Sequence, residues 1–244
     1  MLIRDTGIVL STARSGETSL SVSFLGRSSG KIRLLAKGAL GPRHPARGAL
    51  EPGNELEVLF YHREGRATSY LKEAALLSSP AAGRESLPHL AARLAALELL
   101  HLVCVPGASL DAGIVDTAAA YLAAPAGSDP LYLFLAFEVK LLAALGVSPD
   151  TYACVRCGQP PSGGVYSPRD GVSFCAEHRA AVPEAVVLSP EVVRAAEHCA
   201  GQPFDELARE PVERGVRKEL GRLVHWTYTY HVQGYHLPRS LNLM

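Results

Sequence analysis

At 244 residues the chain can build two modest domains or one large one, with a hydrophobic core and no need of a staple merely to fold. Lys+Arg and Asp+Glu balance at 24 each, which excludes a uniformly basic nucleic-acid coat. No apolar stretch approaches the roughly 18 residues of a membrane span. The start Met1-Leu2-Ile3-Arg4-Asp5 shows no basic region followed by an apolar one, so no secretory signal is expected and the reading is cytoplasmic.

The first 80 residues alternate apolar and polar in the manner of short strands at Gly7 to Ser11, Leu20 to Leu25, Ile32 to Ala36, Leu56 to Tyr61 and Ser69 to Leu76. Turn residues separate them, among them Gly26 through Gly30 and the Gly/Pro-rich Gly41 to Gly53. Five strands in this span fit an OB-like barrel, whose strand face and loops hold oligonucleotides; an SH3-like barrel or an open meander stays open at this point.

Charge is unevenly placed. Residues 1 to 80 hold 11 Lys+Arg against 7 Asp+Glu. Thr18 to Leu50 carries Arg27, Lys31, Arg33, Lys37, Arg43 and Arg47 with no acid at all. Such a run is usually a solvated face. On strands of an OB-like barrel it is instead expected to bind DNA phosphates, which demand cations but no special geometry. Phe24, Phe60, Tyr61 and Tyr70 are candidates for base stacking, although aromatics in strands are more often core.

From Ser78 to Gly83 the composition shifts to Ala and Leu. Ser86 is a candidate N-cap with Pro88 in the first turn, and Leu87, Leu90, Leu94 and Leu97 recur at helical spacing. Further helices are expected at Asp111 to Ala123, Pro130 to Leu145 stopped by Gly146, Pro190 to Ala200 capped by Ser189, and Pro211 to Tyr230. The fold class is therefore α+β: an N-terminal five-stranded OB-like β-barrel at 1–80 that binds DNA, then an α-helical domain at 81–244 with a zinc-finger-like insert at 151–180.

Within that insert Cys154-Val155-Arg156-Cys157 is followed, after 17 intervening residues, by Cys175-Ala176-Glu177-His178. The spacing C-x2-C-x17-C-x2-H makes two chelating knuckles, and three thiolates with one imidazole close a tetrahedral shell for one structural Zn2+ per chain. The Gly- and Pro-rich stretch between the pairs cannot build a core of its own, so metal would supply what packing does not. The other cysteines, Cys104 and Cys199, read as small buried hydrophobes.

The last helix carries Arg217, Lys218, Arg222, His225, Trp226, Tyr228 and Tyr230. Packing through Val216, Leu220 and Leu223 is the plain reading; the functional one is a groove with a cationic rim, formed by Arg217, Lys218 and Arg222, that takes an acidic, aromatic peptide. Patterns for catalysis are lacking: no Walker A loop, dinucleotide-binding glycine fingerprint, nucleophile elbow or HExxH occurs. Ser28-Ser29-Gly30-Lys31 matches S-x-x-K without its companion motifs. The combination of H-x-E with P-C-x-x-C that zinc deaminases carry is not found either. The expectation is a non-enzyme; a zinc-dependent nucleic-acid-modifying enzyme or a pure interaction scaffold is the alternative.

Gly7-Ile8-Val9-Leu10, Gly16-Glu17, Gly30-Lys31-Ile32, Ala36-Lys37-Gly38-Ala39 and Gly48-Ala49-Leu50-Glu51-Pro52 together resemble the N-terminal signature of the bacterial DNA repair RecO family. The likeness continues through Glu55 to Val58 and Leu71 to Leu76 and is most specific over residues 1–80. The resemblance implies a recombination mediator that binds single- and double-stranded DNA and anneals complementary strands. It also implies action with RecR to load RecA onto DNA coated by single-strand-binding protein, contact with that protein's acidic C-terminal tail through the helical part, and a nucleoid-associated location.

Overall fold

The computed structural model describes residues 1–42, 44, 46, 48–63, 65–80, 86–108, 111–161, 163–179 and 185–244. Its contacts divide the chain into two compact units, Met1–Ala124 with Pro238–Met244, and Pro125–Leu237.

In the first unit, strands β1 (Leu2–Ser15), β2 (Ser19–Gly26), β3 (Gly30–Ala36), β4 (Glu55–Tyr61) and β5 (Thr68–Ser78) close into a barrel in the order β1-β2-β3-β5-β4. The β3–β5 pairing is parallel and the others antiparallel, the arrangement of an OB barrel rather than a meander. Period-2 alternation decides which side chains enter. Leu56, Val58 and Phe60 of β4 and Leu34 and Ala36 of β3 point into the core beside Val9, Val22 and Phe24. Ala39, Ala46 and Leu50 of the long β3–β4 connection complete it, so a segment that reads as turn supplies part of the interior. Gly7 faces Gly26 across β1 and β2, where a Cβ on Gly7 would meet the Leu25 carbonyl oxygen at 2.0 Å.

Two helices complete this unit, α1 (Leu87–Val103) and α2 (Ala112–Ala123), with a C-terminal 3₁₀ turn at Arg239–Leu243. The leucine stripe of α1 is only partly its buried face. Leu87 and Leu90 are exposed and Leu94 is half-buried, while Leu97 is buried together with Ala91, Ala92, Ala95, Ala96, Leu99 and Leu100. Ser86 makes no capping bond to the helix; its hydroxyl pairs with His89 Nδ1 at 2.5 Å instead. Arg93, also buried, donates to the carbonyls of Leu122 and Ala124 and so satisfies the C-terminal end of α2.

The second unit is built on α3 (Pro130–Ala144), buried on nearly every side and capped by Asp129, which accepts from Tyr132 N at 3.0 Å. Around it stand α4 (Pro190–Gly201), capped by Ser189 as expected, the short α5 (Phe204–Leu207) and α6 (Arg214–His231). Gly201 is the last residue of α4 rather than its stop, and α6 begins at Arg214, after Pro211. Between α3 and α4 the chain forms a small sheet, β7-β6-β8, from β6 (Val165–Ser167), β7 (Val172–Phe174) and β8 (Val186–Val187). Among the described residues no helix is long and apolar enough to cross a membrane.

Candidate nucleic-acid interface and metal centre

Lys31, Arg33 and Leu35 share the outward parity of β3, opposite to Leu34 and Ala36. Their surroundings differ. Lys31 is buried and donates to the His101 carbonyl of α1 at 2.6 Å. Burial lowers its ammonium below the ordinary lysine value. Arg27 is engaged as well, with Glu55 at 2.9 Å and Asp116 of α2 at 2.9 Å. Both residues are thus joined to groups of their own unit. Burial, and then the charges of Lys31 and Arg33, hold the His101 imidazole below its usual value.

Arg33 and Lys37 are exposed, and no ion pair among the described residues engages either. Lys37 Nζ lies 4.9 Å from the centroid of the Tyr70 ring. Arg43 and Arg47 lie outside the described residues. The β3–β5 register sets Arg33 against Thr68 and Leu35 against Tyr70, which brings the β4–β5 connection alongside. That connection adds Arg63 and Arg66, both exposed. Glu51, Glu55 and Glu57 part them from the acid-free stretch and Glu64 parts them from each other, so a search for acid-free runs passes over them. Of the four stacking candidates, Phe24 and Phe60 are core, at 0% and 1% exposed, whereas Tyr61 and Tyr70 face outward.

In the second unit Cys154, Cys157, Cys175 and His178 converge, with all four ligand atoms within 4.8 Å of one another. Cys157 Sγ is 3.7 Å from Cys175 Sγ, and His178 Nδ1 is 3.6 Å from Cys154 Sγ and 3.3 Å from Cys175 Sγ. Two thiolates held about 2.3 Å from one tetrahedral zinc stand about 3.8 Å apart, so the residues fit such an ion. The first knuckle is closed by Gly158 N donating to Cys154 O at 2.8 Å, with Gly158 at φ 73°, and the second by His178 N donating to Cys175 O at 3.0 Å. Val155 N donates to Ser173 O at 2.9 Å, anchoring the first knuckle to β7. Burial alone would raise the Cys154 thiol, but backbone N–H groups of Cys175, Arg156 and Cys157 and the His178 side chain bring it down to about 6. This cluster can hold a metal ion as a thiolate set. Cys104 and Cys199 are fully buried, and burial pushes each thiol up to about 11.

His62-Arg63-Glu64 does fit H-x-E, but it belongs to the barrel unit and the cysteines to the other, and Ala153, not proline, precedes Cys154.

The three cations of α6 also separate. Arg217 pairs with Asp129, the cap of α3, while Lys218 and Arg222 are exposed. Arg222 borders a cleft of about 330 Å³ lined by Ala185, Val186, Val187, Glu219 and Trp226. Trp226 and Val187 are largely solvent-facing. Behind α6, Glu138 of α3 is 3% exposed and burial pushes its carboxyl up to about 8. No ion pair among the described residues compensates it. A Tyr228–Tyr235 stack with centroids 5.0 Å apart belongs to the same interior, where the Tyr235 hydroxyl and His225 Nδ1 have no hydrogen-bond partner.

Two family models match the chain: "Recombination protein O N terminal" over residues 1–80 and "Recombination protein O C terminal" over residues 117–240. The chain belongs to the RecO family. Among its curated relatives, the DNA repair protein RecO of Salinibacter ruber is 26% identical over 246 residues, covering 100% of this chain and 93% of that protein. The RecO of Anaeromyxobacter sp. (strain Fw109-5) is 33% identical over 179 residues, 71% of this chain and 69% of its own length. That of Anaeromyxobacter dehalogenans (strain 2CP-C) is 28% identical over 235 residues, 90% and 92% respectively. These relatives are named as DNA repair proteins, so this RecO-family chain is placed among proteins of DNA repair.

Proposed function

We propose that this RecO-family protein is a non-enzymatic recombination mediator that binds single- and double-stranded DNA through its barrel and anneals complementary strands. The observation that carries the reading is the outer face of β3 and the turn that follows it, where Arg33 and Lys37 stand exposed on an OB barrel with no carboxylate partner among the described residues. Annealing needs two polyanions to approach, and a cationic surface lowers their repulsion without ATP. Residues 1–80 are assigned as the DNA-binding domain. Within the expected set, Arg33 and Lys37, with Arg43 and Arg47 that follow in sequence, are assigned to phosphates, while Arg27 and Lys31 act through the fold. Action with RecR to load RecA, and association with the nucleoid, rest on the family resemblance.

The Cys3His cluster is assigned to one structural zinc. With four protein ligands the ion has no open position for water, so it supplies a crosslink of the insert rather than a reaction. The acidic tail of single-strand-binding protein is assigned to the cleft beside α6. Arg222 there offers charge for a carboxylate, with the exposed Lys218 on the same helix, and Trp226 and Val187 an apolar wall for an aromatic side chain.

The test is annealing of complementary oligonucleotides by the purified protein without nucleotide, compared with an Arg33→Gln/Lys37→Gln variant. The proposal expects rapid annealing by the wild type and a loss of at least tenfold in the variant. Equal rates with and without the wild-type protein would contradict it.

A further inference from the structure

We infer that Tyr61 and Tyr70 form a stacking platform for unpaired nucleobases at one end of the barrel, with Arg63 and Arg66 as additional phosphate contacts. This rests on the reading of the barrel as the DNA site and names which chemistry of DNA that site prefers. The register carries it. Tyr61 of β4 is the cross-strand partner of Tyr70 of β5, and Tyr70 is also opposite Leu35 of β3. Directly opposed residues share a face, so both side chains emerge on the outside of the sheet. Leu2 of β1, opposite Tyr61, extends the row. A register shift between Leu59 and Phe60 marks the β4–β5 ladder just before this pair, a device that re-aims side chains at barrel rims.

Tyr61 is 49% and Tyr70 39% exposed, in contrast to the enclosed Phe60 next to Tyr61. Strands that hide one aromatic and present the next leave apolar ring faces in water, where a base plane fits.

The charges decide what covers these rings. Outward acids on β4 and β5 are paired, Glu57 with Arg4 at 2.9 Å and Glu73 with Lys72 at 3.1 Å. Arg33, Arg63 and Arg66 have no ion-pair partner among the described residues, and Lys37 rests over the Tyr70 ring. An exposed aromatic pair with Lys37 over one ring, and with Arg33, Arg63 and Arg66 near it in register and sequence, suits a polyanion that carries flat apolar planes, which describes single-stranded DNA. In a duplex the base faces are already stacked, so the tyrosines add nothing there, while the cations serve both forms. Lys37 can leave the Tyr70 ring for a phosphate as a base takes its place.

The experiment compares wild type, Tyr61→Thr, Tyr70→Thr and Tyr61→Phe/Tyr70→Phe for binding of an oligothymidylate, an abasic strand of the same length, and a duplex, at one moderate salt concentration. Threonine keeps strand propensity, and unchanged circular dichroism verifies the barrel. Each threonine variant is expected to lose about five- to a hundredfold on oligothymidylate and to be unchanged on duplex and abasic strand, with the phenylalanine variant near wild type. If wild type binds abasic and thymidine strands equally, or the threonine variants lose equally on all three ligands, the platform is overturned while phosphate binding stands. Wild-type protein that binds no DNA even at low salt overturns the barrel reading itself, and the platform with it.

Discussion

The Lys31 ammonium of β3 donates to the His101 carbonyl of α1 at 2.6 Å, from a position where only 9% of the lysine is exposed. A cation that the sequence places at the centre of a basic run therefore joins barrel to helix. Replacing it with Met removes a part-buried hydrogen bond from a charged donor to the C-terminal end of α1, at a cost of about 1–3 kcal/mol. Lys31→Met is expected to lower the thermal midpoint while folded protein binds DNA as the wild type does. Fluorescence anisotropy at a temperature where both are folded checks the second half.

Arg93 makes the corresponding contact inside the helical part of the same unit, donating to Leu122 and Ala124 at the end of α2. Arg93→Leu orphans two carbonyls at once and is expected to destabilise by about 2–5 kcal/mol. Chemical denaturation should show an earlier transition; an unchanged midpoint would mean the α2 terminus finds other partners.

The parts legible in the sequence were those with a local period or spacing. Alternation gave all five barrel strands, and C-x2-C-x17-C-x2-H brought out the four residues that converge in space. Burial of charge is not local. Nothing near Lys31, Arg93 or Glu138 in sequence tells that a helix covers them, since their partners lie 70, 29 and 31, and for the Tyr228 hydroxyl on the Glu138 carbonyl 90, positions away. Arg63 and Arg66 escaped because Glu51, Glu55, Glu57 and Glu64 break the run before and between them, although the parallel β3–β5 pairing sets their connection beside Arg33. The leucine spacing of α1 marks the helix but only part of its buried face, which takes in Leu97, Leu99 and Leu100 together with four alanines.

Glu138 makes stability depend on pH. Its folded carboxyl titrates at about 8 against 4.5 for the free group, because burial penalises the charged form. Folded protein therefore holds this proton through the interval in which the unfolded chain loses it. Stability is full below pH 4.5 and falls by about 1.4 kcal/mol per pH unit until the folded group ionises near 8. Burial also raises Tyr228 and Tyr235, the latter to a value above the range of the experiment, so neither adds a charge there. Glu138→Gln is expected to leave the melting temperature at pH 5 nearly unchanged and to raise it at pH 9. Parallel melting curves at both pH values would contradict the assignment.

Metal analysis of protein purified without chelator is expected to give one zinc per chain. Removing the ion, or Cys175→Ala, should open residues 150–180 to protease while the barrel keeps its strand signal. Acid should release the ion as the thiolates take up protons. Less than a tenth of an equivalent of zinc would contradict the assignment.

The most direct test of the central claim is oligonucleotide affinity across a salt series for wild type, Arg33→Gln/Lys37→Gln and Lys31→Met. Each phosphate contact contributes about 0.7–0.9 to the slope of log K against log salt. The double variant is expected to bind more weakly by a similar factor on every sequence, with a slope flatter by about 1.4–1.8, while Lys31→Met keeps the wild-type slope. A double variant with wild-type affinity and slope would contradict the account and remove the outer face of β3 as the DNA site.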